Sequence, residues 1–453
     1  MAEQRFHCGE ALLPQGWATD VRLVLRDGLI VEVMGGMRPT PADTRLAIVM
    51  PGMPNLHSHA FQRGMAGLAE TRGAGDDSFW TWRELMYRFV DRLTPDGLFA
   101  IASLAYCEML ESGFTRVGEF HYLHHDRDGA PFADVAAMGA AIVEAAAETG
   151  IGLTHLPVFY AHAGFGGTAP GALQRRFVND LDGFVSLIAA TQAHAKKLPD
   201  AIVGLAPHSL RAVTPDELSA LEAIGEGGPV HIHIAEQVRE VEDCIAWAGA
   251  RPLEWLFDNA SVDDRWCLVH ATHMTGTETG TLARSGAIAG LCPITEANLG
   301  DGVFPAGAFV QAGGRFGIGS DSNVLIDATE ELRLLEYGQR LVHRGRNLLA
   351  RGNGAGTGDM LYRAAIDGGA QALGVPAGLV AGAAADFLSL DPAHPSLHAR
   401  HGAARADGLV FAAGRTAIDG VWRRGKQVVS GGRHHAREAI LRRYHNALTP
   451  LIA

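Results

Sequence analysis

Between residues 46 and 318, eight apolar runs alternate with stretches of helical character: 46–56, 115–120, 152–159, 202–206, 230–234, 266–269, 287–291 and 316–318. Strands separated by helices build parallel sheets. Eight such units predict a (β/α)8 TIM-like barrel over 49–372 rather than an open doubly wound sheet. No GxGxxG follows the first run, which removes the main argument for a dinucleotide fold. The ends of these runs are as informative as the runs themselves. In order they carry His57 and His59; Glu119, His121 and Tyr122; Tyr160 and His162; His208 and Arg211; His231, His233 and Glu236; His270; Thr295 and Glu296; and Asp321. Barrel active sites form at the C-terminal rim of the strands, so titratable residues recurring at that one end predict a catalytic mouth.

The two ends of the chain read differently. Residues 21–25 and 29–33 are short apolar runs joined by Arg26-Asp27-Gly28, a hairpin signal. Runs at 385–390, 408–411, 420–423 and 427–429, punctuated by glycine, return near the other terminus. They predict a small composite β-sandwich domain built from residues 1–48 and 373–453, the latter ending in a helix. At 453 residues the chain is long enough for a large catalytic domain beside a smaller one. Its net charge of −12 disfavours nucleic acid and anionic membrane as partners, but not an anionic small molecule met by local arginines. No apolar run approaches membrane-spanning length, and MAEQRFHCGE lacks a basic-then-apolar signal region. Cys8, Cys107, Cys244, Cys267 and Cys292 are scattered and odd in number, as expected of reduced thiols in the cytoplasm.

Side chains on a strand alternate with period 2, so His57 and His59 project to one side where the first run ends. Two neutral imidazoles so placed form a bidentate clamp for Zn, Fe, Ni or Cu. His233 and Asp321 complete a set of three imidazoles and one carboxylate, and Asp321 can also accept a proton from a metal-activated water. His231 shares a strand side with His233 and competes for the role, although His233 lies nearer the strand end. Glu236 could carry a proton from the attacking water to a leaving nitrogen, and His270 could stabilise developing charge. Blander alternatives exist: His270 as a packed barrel histidine, Asp321 as a helix N-cap, and His124-His125 and His434-His435 as solvated residues.

HSH after the first run, HIHIAE, LVHATH and GSDSN match the mononuclear deaminase branch of the amidohydrolase superfamily in type, order and rough spacing, over essentially the whole chain. NLHSHAFQRGMAGL, SFWTWRELMY, APHSLRAV and CPITEANLGDG bring its resemblance nearest to the formimidoylglutamate deiminase family. Thr295-Glu296 stands where purine and pyrimidine deaminases of the branch more often read Ser-Asn. The resemblance implies one Zn2+ per subunit on His57, His59, His233 and Asp321, with Glu236, His270 and Asp321 in proton transfer. It further implies that Gln62, Arg83, Tyr122, His208 and Arg211 hold N-formimino-L-glutamate, which is converted to N-formyl-L-glutamate and ammonia in histidine degradation. Binuclear relatives commonly carry a carbamylated lysine on the fourth strand; run 202–206 has none, so a single metal is expected. Homodimers are common in the branch and are expected here.

The substrate's two carboxylates call for partners such as arginine, which can bind each bidentately. Arg83 and Arg211 fall near the rim, where a surface salt bridge is their other reading. Trp80 and Trp82 are core candidates that could also wall the pocket. The rival within the branch is a deaminase of a purine or pyrimidine base or nucleoside, which needs an aromatic pocket rather than paired arginines. A non-catalytic barrel kept as a binding module is the rival of another class, and it predicts a broken ligand set. The HxE…PCxxC zinc deaminase pattern is absent, since Cys292-Pro293 is not followed by it.

Overall fold

The computed structural model describes residues 3–452 apart from 73, 74, 76 and 226. Eight parallel strand positions form the barrel: β1 Met53–Ser58, β2 Phe114–His121, β3 Gly152–Phe159, β4 in two pieces at Ile202–Val203 and Ala206–Pro207, β5 Val230–Ile234, β6 Trp266–His270, β7 Ile288–Leu291 and β8 Arg315–Ile318. The hydrogen-bonded order runs from β5 through β8 to β1 and on to β4. Parallel bridges Leu205–Val230 and Ser209–His233 close the circle between β4 and β5. Nearly every strand residue is buried, as expected where helices cover the outside and side chains fill the inside.

The run 46–56, expected as one strand, is two. Thr44–Pro51 belongs to the sheet of the termini, and only Met53–Ser58 enters the barrel. Gly52 makes the switch because the chain passes so close to β2 that a Cβ there would lie 2.2 Å from the Thr115 methyl. Tyr362 donates its hydroxyl to the Pro51 carbonyl at 2.7 Å and ties the corner to the last barrel helix, Thr357–Ala372.

The terminal sheet has eight strands in the order Arg433–His434, Lys426–Ser430, Ile418–Arg423, Phe387–Leu390, Thr44–Pro51, Gln4–Leu13, Gly16–Arg26 and Leu29–Met34. Both ends of the chain therefore share it, with a core of Phe6, Leu23, Phe387 and Trp422 on one face. Asp27 and Gly28 both take positive φ, the backbone that a two-residue hairpin turn requires. Residues 408–411, expected as a strand, are helical: Ala403–Gly408 runs directly into a wide turn at Leu409–Ala413. Periodicity cannot separate a short apolar run in a strand from one in a buried helix, and Leu409 and Val410 are buried in the main core. The final helix, Arg437–Ile452, lies on the barrel helix Pro95–Glu111, where Arg437 pairs with Glu108 and Glu111.

Candidate active site

Strand parity decides which rim residues face inward. Phe120 points into the barrel, its ring 4.9 Å from His57 and 4.4 Å from His233. Its neighbours Glu119 and His121 therefore point outward. Glu119 accepts from the Ala60 amide at 2.7 Å and the Tyr106 hydroxyl at 3.0 Å, and His121 packs beside His155. His162 pairs with Glu217 at 2.9 Å. His231 binds the Ala372 carbonyl at 2.8 Å and takes no part in the cluster. These four of the expected rim residues stay out of the mouth.

His57, His59, His233 and Asp321 come together, with one donor atom from each lying within 4.8 Å of the others. His59 Nδ1 donates to the Phe120 carbonyl at 2.9 Å and His233 Nδ1 to the His208 carbonyl at 3.0 Å. These bonds fix the tautomer and turn both Nε2 lone pairs inward. His57 Nε2 lies 3.2 Å from His59 Nε2 and 3.0 Å from His233 Nε2. Burial holds all three rings below the usual histidine range, His57 down to about 3, so they are neutral. Neutral nitrogens facing one another at such distances repel unless a cation lies among them. The Asp321 carboxylate, 3.3 Å from His59 and 3.5 Å from His57, stays ionised despite burial because the histidines hold it low. The donor set fits a divalent transition metal.

The backbone beneath this cluster is strained. Ala235, His270, Ala271, Asp321 and Asn323 all take positive φ without being glycine. Each such residue costs on the order of 1–3 kcal/mol, and they gather at the ends of β5, β6 and β8. Asp321 is held there by its amide, which donates to the His57 carbonyl at 2.9 Å, and by its carbonyl, which accepts from the His59 amide at 2.9 Å. Asn55, Ser320 and Asn323 brace the same corner through bonds of 2.7–3.0 Å. The next helix begins at Ala328 with Asp327 as its cap, so Asp321 is not a helix N-cap.

Glu236 and His270 face the cluster from the same side, Glu236 Oε1 lying 3.8 Å from His270 Nε2. Burial pushes the Glu236 carboxyl up to about 7, with His270 and Arg211 pulling the other way. Burial also opposes a charge on His270, but Glu236, Glu296 and Asp321 outweigh it and raise the imidazole to about 10. His270 Nδ1 points at Glu296 Oε1, 3.3 Å away.

A cavity of about 700 Å³ of atom-free space, part of it open to solvent, lies over the cluster. Gln62, Arg83, Tyr122, His208 and Arg211 all line it, together with His59, His233, Glu236, His270 and Asp321. Gln62 donates to the Tyr122 hydroxyl at 3.0 Å. Arg83 and Arg211 approach the Trp80 ring at 4.5 and 5.9 Å, and among the described residues neither makes a carboxylate salt bridge. Trp82, Met86, Tyr87 and Phe177 supply apolar wall.

Sequence reasoning missed several supports. Glu240 is buried behind Glu236, accepting from its amide at 3.1 Å, although on an amphipathic helix it reads as a solvent-facing acid. Asp301, Asn55 and Asn323 lie within the quoted motifs, but no spacing or periodicity marks them as supports. His124 and His434, expected to be solvated, are buried on backbone carbonyls of Val158 and Thr149 at 2.9 Å.

A family model described as the amidohydrolase family matches residues 48–428, and one described as formimidoylglutamate deiminase HutF, N-terminal domain, matches residues 4–47. A formimidoylglutamate deiminase from Pseudomonas aeruginosa is 51% identical over 445 residues, 98% of each chain. A crystal structure of an amidohydrolase from Brucella melitensis superposes with a TM-score of 0.97 at 54% identity, covering 99% of this chain and 100% of that one. An adenosine deaminase from Xanthomonas campestris with bound zinc shares the fold at a TM-score of 0.83 and 22% identity, covering 99% of this chain and 98% of that one. With a matching model across most of its length and a full-length relative at 51% identity, the chain belongs to the amidohydrolase family.

Proposed function

We propose that this enzyme hydrolyses N-formimino-L-glutamate to N-formyl-L-glutamate and ammonia, a step of histidine degradation. The observation that carries the reading is one cavity holding both the His/His/His/Asp cluster and two arginines, in a chain 51% identical throughout to a formimidoylglutamate deiminase. Zn2+, one per chain, is the ion we assign to His57, His59, His233 and Asp321; when bound it supplies Lewis acidity and acidifies water to a pKa near 7.

The residues divide the remaining work. Arg83 and Arg211, helped by Gln62, Tyr122 and His208, hold the two carboxylates and set the formimino carbon over the cluster. Asp321 accepts a proton from the attacking water. Glu236, with a carboxyl near neutrality, takes that proton on and delivers it to the departing NH2, which leaves as ammonia. His270, held cationic, stabilises negative charge that develops at the reacting carbon's substituents. Three segments frame this machinery: 1–48 and 373–453 as the composite β domain and 49–372 as the barrel. A homodimer in the cytoplasm suits five free, buried cysteines and the exposed Leu341 and Val342 on one barrel helix.

The aromatic wall of Trp82, Tyr87, Tyr122 and Phe177 favours a second reading, a base or nucleoside deaminase. The deciding experiment supplies N-formimino-L-glutamate to metal-replete enzyme and identifies both products. Ammonia with N-formyl-L-glutamate is expected. Formamide with glutamate would show that the other C–N bond breaks. No turnover with metal bound would discard this substrate in favour of bases.

A further inference from the structure

We propose that Asp301 is a positioning residue for Glu236, carrying a proton that it donates toward the Glu236 carboxylate from behind the cavity; the inference rests on the deimination reading above. Gly300, at φ 73°, ends the helix Pro293–Leu299, and the Asp301 amide donates back to the Glu296 carbonyl at 2.9 Å. That turn places Asp301 outside the cavity wall yet beside the proton-transfer pair. One oxygen each of Glu236 and Asp301 and a ring nitrogen of His270 lie within 4.8 Å of one another. Asp301 Oδ1 accepts from Gln237 Nε2, while Oδ2 is buried without a partner among the described residues.

An ionised buried oxygen without a donor is unfavourable, whereas the same oxygen carrying a proton becomes a donor. Glu236 is then its acceptor, within reach of a small side-chain rotation or one water. Charge points the same way. Glu236, Glu240, Glu296, Asp301 and Asp321 crowd this buried region. Burial first and the Glu236 charge second push the Asp301 carboxyl up to about 8. The groups facing Asp301 are Glu236 and Gln237 after β5, His270 on β6 and Glu296 after β7. Those facing Glu236 are His270, Arg211, Asp321 and Glu240. A neutral donor on Asp301 favours the ionised, proton-accepting form of Glu236 and aims it.

The test compares Asp301→Ala and Asp301→Asn with the wild type, all metal-replete. Asp301→Ala should lower kcat at least about 30-fold with KM within about threefold, and move the acidic limb of kcat/KM to higher pH. Asp301→Asn keeps an N–H donor and should restore most of kcat and the limb. An infrared difference between wild type and Asp301→Asn should show a protonated-carboxyl carbonyl band at neutral pH, whatever substrate the enzyme uses. A limb that moves to lower pH, no such band, or a second metal equivalent lost in both variants would overturn the proposal. Equal losses in Ala and Asn with a lowered Tm would reduce Asp301 to a brace and overturn it too. Failure of the wild type on the amidine would instead strike the functional reading, with the infrared band still judging Asp301.

Discussion

Arg211 shows how a single charge is prepared for a ligand. Its guanidinium lines the cavity, its Nε is buried without a partner among the described residues, and Glu240 and Glu236 favour its charge against the burial that opposes it. A cation kept in place without a salt bridge is poised for a carboxylate from outside. Arg211→Lys keeps the charge and loses the fork, so KM for N-formimino-L-glutamate should rise roughly 10- to 100-fold with kcat much less affected. Steady-state kinetics at constant metal content check this; an unchanged KM would mean the substrate carboxylate is bound elsewhere. At this scale the clustering of His57, His59, His233 and Asp321 was legible because strand parity and strand ends restrict which histidines can meet. His231 and His233 share a parity, and only the depth along β5 separates them. Glu240 and Asp301 were illegible because their importance lies in which groups they back, and nothing local encodes that.

Helix Phe79–Val90 brings Arg83 and Trp82 to the mouth, and its first turn is its weak point. The Ser78 hydroxyl accepts from the Trp80 amide at 3.3 Å, and the Thr81 side chain closes the reciprocal half of a capping box. Removing the cap costs about 1 kcal/mol, spent locally because residues 79–82 are at most half-buried. Ser78→Ala should therefore raise KM about two- to fivefold while kcat, metal content and Tm hold. Hydrogen exchange should quicken in residues 79–83 alone; a fall in Tm with no change in KM would show that the cap supports the fold rather than the mouth. Elements of this size were read well where pattern and length agree, as in β2, β3, β5 and β6. They were misread where length was ignored. Eleven apolar-rich residues at 46–56 exceed an ordinary strand, and the excess was the sign of two strands in two sheets.

At the scale of the whole molecule, the terminal sheet is fastened to the base of the barrel by buried charge. Arg423 bonds Asp386 at 2.6 Å and Asp200 at 2.5 Å, and Asp200 also takes Arg116 from β2 at 2.7 Å. Three of these four residues lie in different thirds of the chain, so periodicity could not have paired them. The same burial makes the fold sensitive to acid. His155 and His231 lie outside the cavity, both fully buried, and burial lowers them to about 3 and about 4. Unfolded, each titrates near 6.5. Between those values the unfolded chain binds more protons than the native one, so stability rises with pH through that window. The contribution is complete above about 6.5 and drains away as pH falls toward the folded-state values. Urea midpoints of the metal-free enzyme, followed from about pH 7 down to about pH 4.5, should decline steadily. His155→Phe keeps a ring of similar shape that cannot titrate; it should reduce the slope by up to about 1.4 kcal/mol per pH unit, one proton's worth. An unchanged slope would mean that His155 takes up its proton in the folded state, which its burial and its two ring nitrogens, unpartnered among the described residues, argue against.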